Sequence, residues 1–291
     1  MIPTTNEPIV LQCGDCLELL KNVESDSVSF CVTSPPYADQ RKSTYGGVPP
    51  DQYVSWILPI AKEIYRVLKP DATFIVNIKE KVVKGERSCY VMDLIQALRQ
   101  SRWLWTDEYI WVKRNAAPGK WPNRFRDGWE RLLQFNKQKR FAMYQDSVMV
   151  ERSENTVKRV AHLSANDCRR MKSKTGSAFS KTIANWVGRE MVYPSNVLSM
   201  ATETRNVGHS AAFPERLPEF FIKLFTQPGD LVLAPFMGSG TVGVVCKRLG
   251  RRFLGMDIIE KYVDLAKARI DAGQEKSLSF ASPFENLLPL M

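Results

Sequence analysis

The chain has 291 residues, 44% of them hydrophobic, which suits one large α/β domain or a core with an insertion and excludes global disorder. Its net charge of +10 favours a polyanionic partner, either nucleic acid or an anionic membrane surface. No stretch approaches the roughly 20 apolar residues of a membrane span, and residues 1–8 are polar with no signal-peptide core, so a cytoplasmic protein without a membrane partner is expected.

Residues 9–12 read as a short strand, and Gly14-Asp15 turns into an amphipathic helix over 17–23. Cys13 and Cys16 form a C-x-x-C. With two histidines and no second cysteine pair, no metal site is expected. The scattered cysteines, with Cys31 and Cys246 inside apolar runs, suit reduced thiols. The apolar run 28–32 is a buried strand that ends in Thr33-Ser34-Pro35-Pro36-Tyr37. Adjacent prolines continue neither a sheet ladder nor a helix interior. They make a stiff turn presenting a hydroxyl, rigid carbonyls and an aromatic ring. Such a turn can hold a flat polar molecule such as a nucleobase, and it equally suits a plain strand end with a packing tyrosine.

The loop 38–50 is long for a connector, which favours a functional role. A helix is expected over 52–68, stopped by Lys69-Pro70-Asp71, then a strand at 72–78, a helix at 90–100 and strands at 108–112 and 131–135. From about 138 to 205 the alternation fails. Charged and small polar residues dominate there, with a basic cluster at Arg169, Arg170, Lys172 and Lys174, continued at Lys181. Alternation resumes with a helix near 215–225, a strand at 231–234, a helix at 241–249, a strand at 252–256 and a helix at 261–270. Strand and helix alternating in this way indicate a mainly parallel sheet.

The strand at 231–234 runs into Pro235-Phe236-Met237-Gly238-Ser239-Gly240-Thr241. Strand, glycine-rich turn and helix form a nucleotide-type cradle in which backbone can approach a ligand and the helix start supplies free N–H groups. The next strand ends at Asp257, about 20 residues on, where an acid can bond a ribose diol or simply cap the following helix. Asp15 has the same place at its own strand end and the same two readings. The tips at Asp15, Ser34, Gly238 and Asp257 are expected to converge at one switch point of a doubly wound sheet.

The pairing of Thr33-Ser34-Pro35-Pro36-Tyr37 with Phe236-Met237-Gly238-Ser239-Gly240-Thr241 resembles the DNA amino-methyltransferases dependent on S-adenosylmethionine. The order resembles their permuted β group, found in restriction-modification systems: catalytic motif first, cofactor motif last, target recognition between. Gly14-Asp15-Cys16-Leu17 is similar to the group's acidic adenosine motif, residues 129–135 to its motif before the recognition region, and residues 209–218 to the segment closing over the cofactor methionine. One departure stands out. Ala234 occupies the place of the usual Asp before Pro-Phe, which puts that carboxylate's contact in doubt.

The resemblance implies a Rossmann-like fold with a mostly parallel seven-stranded sheet, helices on both faces, circular permutation and an inserted recognition region. It implies a catalytic half at 1–137, a recognition region at 138–205, a cofactor half at 206–272 and a tail at 273–291. It implies that Ser34, Pro35, Pro36 and Tyr37 are catalytic. Ser34 and the Pro35 carbonyl would take the two amino hydrogens of a flipped base, and Tyr37 would stack on its ring. S-adenosylmethionine would be held by Asp15, Thr33, Phe213, Leu217, Pro235, Phe236, Met237, Gly238, Ser239, Gly240, Thr241 and Asp257.

Double-stranded DNA would meet Arg41, Lys42 and the cluster Arg169, Arg170, Lys172, Lys174 and Lys181; none of the tryptophans is assigned to it. Ser34 at the first motif position favours N4 of cytosine over N6 of adenine, which stays an alternative. A non-catalytic DNA-binding relative is another, whereas an oxidoreductase is disfavoured by the missing G-x-G-x-x-G. A homodimer and a companion restriction endonuclease are compatible with the resemblance.

Overall fold

The computed structural model describes residues 7–40, 46–116, 121–152, 157–158, 161–162, 187–203 and 213–273. Its first half contains β1 (Ile9–Cys13), α1 (Cys16–Leu20), β2 (Val28–Thr33), α2 (Tyr53–Val67), β3 (Leu68–Ile78), a small hairpin β4 (Val82–Val83) and β5 (Glu86–Arg87), α3 (Tyr90–Gln100), β6 (Leu104–Lys113) and β7 (Trp129–Asn136). Then follow the short strands β8 (Val150–Glu151), β9 (Met191–Val192) and β10 (Val197–Met200). The second half is α4 (Arg216–Phe225), β11 (Leu231–Ala234), α5 (Thr241–Arg248), β12 (Arg252–Asp257) and α6 (Glu260–Ala272).

Among the described residues the main sheet has eight strands in the order β1-β12-β11-β2-β3-β7-β6-β10. All adjacent pairs are parallel except the two made by β7, so β7 alone runs against the other seven. Every one of the six residues of β2, the strand at the centre, is buried. A strand covered on both faces reads as the continuous apolar run seen here.

Period-two alternation sends neighbouring side chains to opposite cores. Cys31, Phe74, Val76, Leu133 and Phe135 join α1, α2 and α3 on one face. Phe30, Val32, Ile75 and Leu132 join α4, α5 and α6 on the other. Each large side chain fully buried in this way contributes about 1.5–3 kcal/mol.

Two features differ from the sequence reading. The sheet has an eighth strand: β10 lies inside the stretch expected to be irregular and pairs parallel with β6 from Val197↔Ile110 to Met200↔Lys113. And Lys69-Pro70-Asp71 does not separate helix from strand. Helix α2 ends at Val67 and β3 begins at Leu68, with a register shift between Val28↔Leu68 and Phe30↔Thr73. The excursion gives Pro70 a place where no ladder donor is needed and brings Lys69 Nζ within 2.8 Å of the buried Ser29 Oγ. No helix among the described residues is long and apolar enough to cross a membrane.

Candidate active site

The seven co-directional strands deliver their C-terminal ends to one edge, among them Cys13, Thr33, Ile78, Lys113, Ala234 and Asp257. From β2 the chain moves outward to β3, and from the adjacent β11 it moves the other way to β12. The gap between the tips of β2 and β11 is therefore the topological switch point, where ligands of open α/β sheets bind. Ser34 leaves one side of that gap and Pro235 the other.

On the β2 side the turn is wired into a buried polar chain. Ser34 Oγ donates to the Tyr37 hydroxyl at 3.3 Å, and the Tyr37 hydroxyl donates to Glu130 Oε2 at 2.7 Å. Asn77 Nδ2, at the end of β3, lies 3.0 Å from the Tyr37 hydroxyl and 2.9 Å from Glu130 Oε2. Lys113, the last residue of β6, donates its ammonium to the other oxygen of Glu130. The Tyr37 ring stays partly exposed while its hydroxyl is enclosed. Burial first, and the Glu130 charge second, push that hydroxyl well above the ordinary tyrosine range, so it remains a donor. Burial alone would raise the carboxyl of Glu130. The Lys113 charge together with the bonds from Lys113, Tyr37 and Asn77 outweighs burial and holds the carboxyl below its ordinary value.

On the β11 side Gly238 and Gly240 both have positive φ, 53° and 75°. At Gly240 a Cβ would also lie 2.6 Å from the Ala266 Cβ on α6, so only glycine lets the turn and α6 approach. Gly240 is the N-cap of α5 and contributes no side-chain cap, which leaves first-turn N–H groups for a ligand. Asp257 is 4% exposed; its Oδ2 accepts from Gly238 N at 2.9 Å and its Oδ1 from Ile259 N at 3.0 Å. Ile259, not Asp257, is the N-cap of α6 and receives no side-chain cap bond, so Asp257 braces the turn that leads into the helix without capping it. A carboxylate with about four acceptor sites keeps capacity for hydroxyls beyond these two bonds. Asp15, by contrast, is a helix cap, taking Leu17 N at 2.7 Å at the exposed start of α1, and Gly14 N donates to the Asp257 carbonyl at 2.9 Å. Both acids stand side by side on the paired ends of β1 and β12.

The remaining expected residues fall as follows. Thr33 is 2% exposed, its hydroxyl enclosed without a hydrogen-bond partner beside Pro35 and Phe236 in a small apolar cavity under the turn. Pro235, Gly238 and Met237 are buried, and Phe236 packs on Trp56 with ring centroids 5.8 Å apart. Arg269 Nη1 holds the Ser239 carbonyl at 2.6 Å and the Ser239 hydroxyl at 2.7 Å, and lies 3.3 Å from Thr241 Oγ1, so these hydroxyls brace the turn.

Leu217 is in the core and Phe213 packs against it. Ala234 is 1% exposed in the same core, where a carboxylate would need its own partner. Pro36 is half-buried at the head of the turn. Arg41, Lys42, Arg169, Arg170, Lys172, Lys174 and Lys181 lie outside the described residues.

Sequence reasoning assigned no role to Asn77, Lys113, Glu130 or Arg269. Only one signal was local: Glu130 lies within residues 129–135, the stretch similar to the motif before the recognition region.

Residues 28–268 match the DNA methylase family N6_N4_Mtase. The type II methyltransferase M.PvuII of Proteus hauseri is 31% identical over 275 residues, 86% of this chain and 80% of the relative. The solved structure of PvuII DNA methyltransferase (cytosine-N4-specific) superposes with a TM-score of 0.68 at 27% identity, over 90% of this chain and 86% of that one. A DNA modification methylase of Thermus thermophilus, complexed with S-adenosyl-L-methionine, shares the fold with a TM-score of 0.61 at 22% identity, over 94% and 98% of the two chains.

Proposed function

Because this chain belongs to the DNA methylase family that spans most of its length, we propose that it transfers a methyl group from S-adenosylmethionine to the N4 amino group of a cytosine in duplex DNA. The observation that carries this reading is the hydrogen-bond chain from Ser34 through Tyr37 to Glu130, set across the switch point from the cradle at Gly238 and Asp257.

The exocyclic amino group of a base is a poor nucleophile because its lone pair is delocalised into the ring. A site for it must fix the ring and draw the amino nitrogen toward tetrahedral geometry. Ser34 meets that requirement because its proton is committed to Tyr37, which leaves its lone pairs to accept an amino hydrogen. The Pro35 carbonyl, fixed in direction by the two rings, accepts the other. Preorganised acceptors of this kind cost no rearrangement when charge develops. The Tyr37 hydroxyl stays protonated and the Glu130 carboxyl is held low, so the chain orients Ser34 as a set of fixed dipoles and is not a base waiting for a proton. The ring of Tyr37 is the stacking surface for the base.

S-adenosylmethionine, when bound, supplies an electrophilic methyl group on a sulfonium. Asp257 and Asp15 would take the ribose and adenine polar groups, and the glycine turn with the first N–H groups of α5 would face the carboxylate end. Transfer would then be a direct displacement with no covalent protein intermediate: the amino nitrogen bonds the methyl carbon as the carbon–sulfur bond breaks, S-adenosylhomocysteine leaves, and one amino proton is lost to water. The base leaves the duplex to reach the site, since its amino group is inaccessible within the stack.

Target recognition belongs to residues 138–205. Within its described residues, β8 and β9 pair antiparallel and Arg152 N donates to the Glu190 carbonyl at 3.0 Å. The similarity to a cytosine-N4-specific enzyme, together with Ser34, favours cytosine.

The test is transfer of labelled methyl groups to DNA followed by mass spectrometry of the nucleosides. N4-methylcytosine is expected, and N6-methyladenine would overturn the base assignment. Ser34→Ala should lower turnover by about 10²–10³-fold with cofactor affinity retained; full activity in that variant would remove Ser34 from its role.

A further inference from the structure

The loop between β6 and β7 leaves the sheet at Lys113 and returns at Trp129, the residues on either side of the Glu130 ion pair. It therefore rises directly from the floor of the site. Its described part carries two exposed aromatics, Trp121 at 55% and Phe125 at 97%, and Trp129, where the chain re-enters β7, is 44% exposed. Single exposed apolar residues need no explanation, but three aromatics within nine residues of chain point to an interaction site.

The loop is built to project. Trp121 and Arg124 form an isolated antiparallel bridge, and the Arg124 guanidinium lies 4.8 Å from the Trp121 ring centroid. Asp127 ties the returning limb down through Arg87 at 3.2 Å and Arg124 at 3.5 Å, and Lys113 N donates to the Gly128 carbonyl at 2.8 Å. With the base of the loop closed and its returning limb fastened, Phe125 stands 97% exposed. Arg114 and Arg126 are exposed on the same loop.

We propose that Phe125 is a wedge that enters the base stack beside the flipped nucleotide, with the guanidinium of Arg126 on a flanking phosphate. The patch is aromatic between arginines, which matches a polyanion with stacked planar faces. The chain's net charge of +10 points the same way, toward a polyanion. The wedge deepens the methyltransferase reading and rests on it, because it supplies the unstacking that the reaction requires.

The experiment compares wild type, Phe125→Ala and Phe125→Trp on a duplex carrying the site that sequencing of modified DNA defines, with 2-aminopurine at the target position. Wild-type methylation of the unlabelled duplex is read first, and its absence would sink the parent reading, not the wedge. Given that activity, Phe125→Ala should weaken duplex binding by about 5–150-fold, the worth of one stacking contact. It should also suppress the rise in 2-aminopurine emission while leaving S-adenosylmethionine affinity unchanged, and Phe125→Trp should restore both. Unchanged affinity and emission in Phe125→Ala would overturn the proposal. So would a change confined to the sedimentation of the protein alone, which would mark a protein-docking patch instead. Phe125 is exposed, so misfolding does not cloud the variant.

Discussion

Replacing Glu130 by Gln isolates the electrostatics beneath the Pro-Pro turn. The amide keeps the shape and can still accept from Tyr37 or Asn77, but it offers Lys113 no negative charge. The side chains are 7% and 17% exposed, so the pair is largely buried. Removing one partner of a buried pair costs 3–5 kcal/mol, because the other charge is left uncompensated. The partial hydration open to Lys113 sets the expectation near the low end, about 3 kcal/mol, or a loss of more than 100-fold in the folding constant. Urea unfolding at pH 7 measures it. A companion Lys113→Met in the same chain should recover more than half of the loss.

The sign with pH follows from the direction of the shift. The folded carboxyl titrates below its unfolded value near 4.5, so its contribution is complete above that value and disappears as pH falls through the folded one. The gap between wild type and Glu130→Gln should therefore close in acid. A gap below about 0.5 kcal/mol at pH 7, where ordinary surface substitutions fall, would refute the reasoning. So would a gap that persists undiminished in acid, or a double variant no more stable than the single one.

Other outcomes follow from the cradle and the thiols. Gly240→Ala combines a positive φ with a Cβ 2.6 Å from Ala266. Strain and overpacking together should cost about 2–5 kcal/mol by thermal or urea unfolding, and a neutral result would mean that α6 moves freely. Asp257→Ala orphans the buried N–H of Gly238 and removes the acceptor of the Ile259 N–H ahead of α6. The substitution should cost about 1–3 kcal/mol of stability and weaken S-adenosylmethionine by roughly 10-fold or more in calorimetry, since bonds to a charged group are worth about 1.5–3 kcal/mol. Among the described cysteines, Cys13 and Cys89 are exposed and should alkylate in the native protein, whereas Cys16, Cys31 and Cys246 are buried and should not. Burial pushes the Cys16 thiol up to about 12, which adds an electrostatic barrier to access; modification of Cys16 at the rate of Cys13, read by peptide mass spectrometry, would contradict this arrangement.

What the sequence revealed tracks how local each signal is. The Pro-Pro turn after β2 and the glycine turn after β11 are written in consecutive residues, and the strand over Leu231–Ala234 and the helix over Tyr90–Gln100 have the bounds the pattern predicts. Asn77, Lys113 and Glu130 come together only through the ladders β3–β7 and β6–β7, where Asn77 faces Leu132 and Trp111 faces Glu130. No residue-level pattern encodes those registers. Strand β10 was hidden for another reason. It is four residues long, two of them buried, within a polar stretch, and it is a strand because β6 offers it an edge. Arg269 reads as an ordinary helix-surface cation until the turn at Ser239 is seen beneath it.

The central pairing of β2 with β11 has a consequence for synthesis. Phe30 waits for Val232 and Cys31 for Leu233, a delay of about 10–40 s on the ribosome at roughly 5–20 residues per second. Throughout that interval the nascent half-sheet exposes the apolar edge of β2, the kind of template that recruits other chains. The same delay is a safeguard. Gly14 N cannot find the Asp257 carbonyl, nor Ser34 its facing wall, until both arms of the gene product exist, so an unfinished polypeptide has no means of marking the DNA that encodes it.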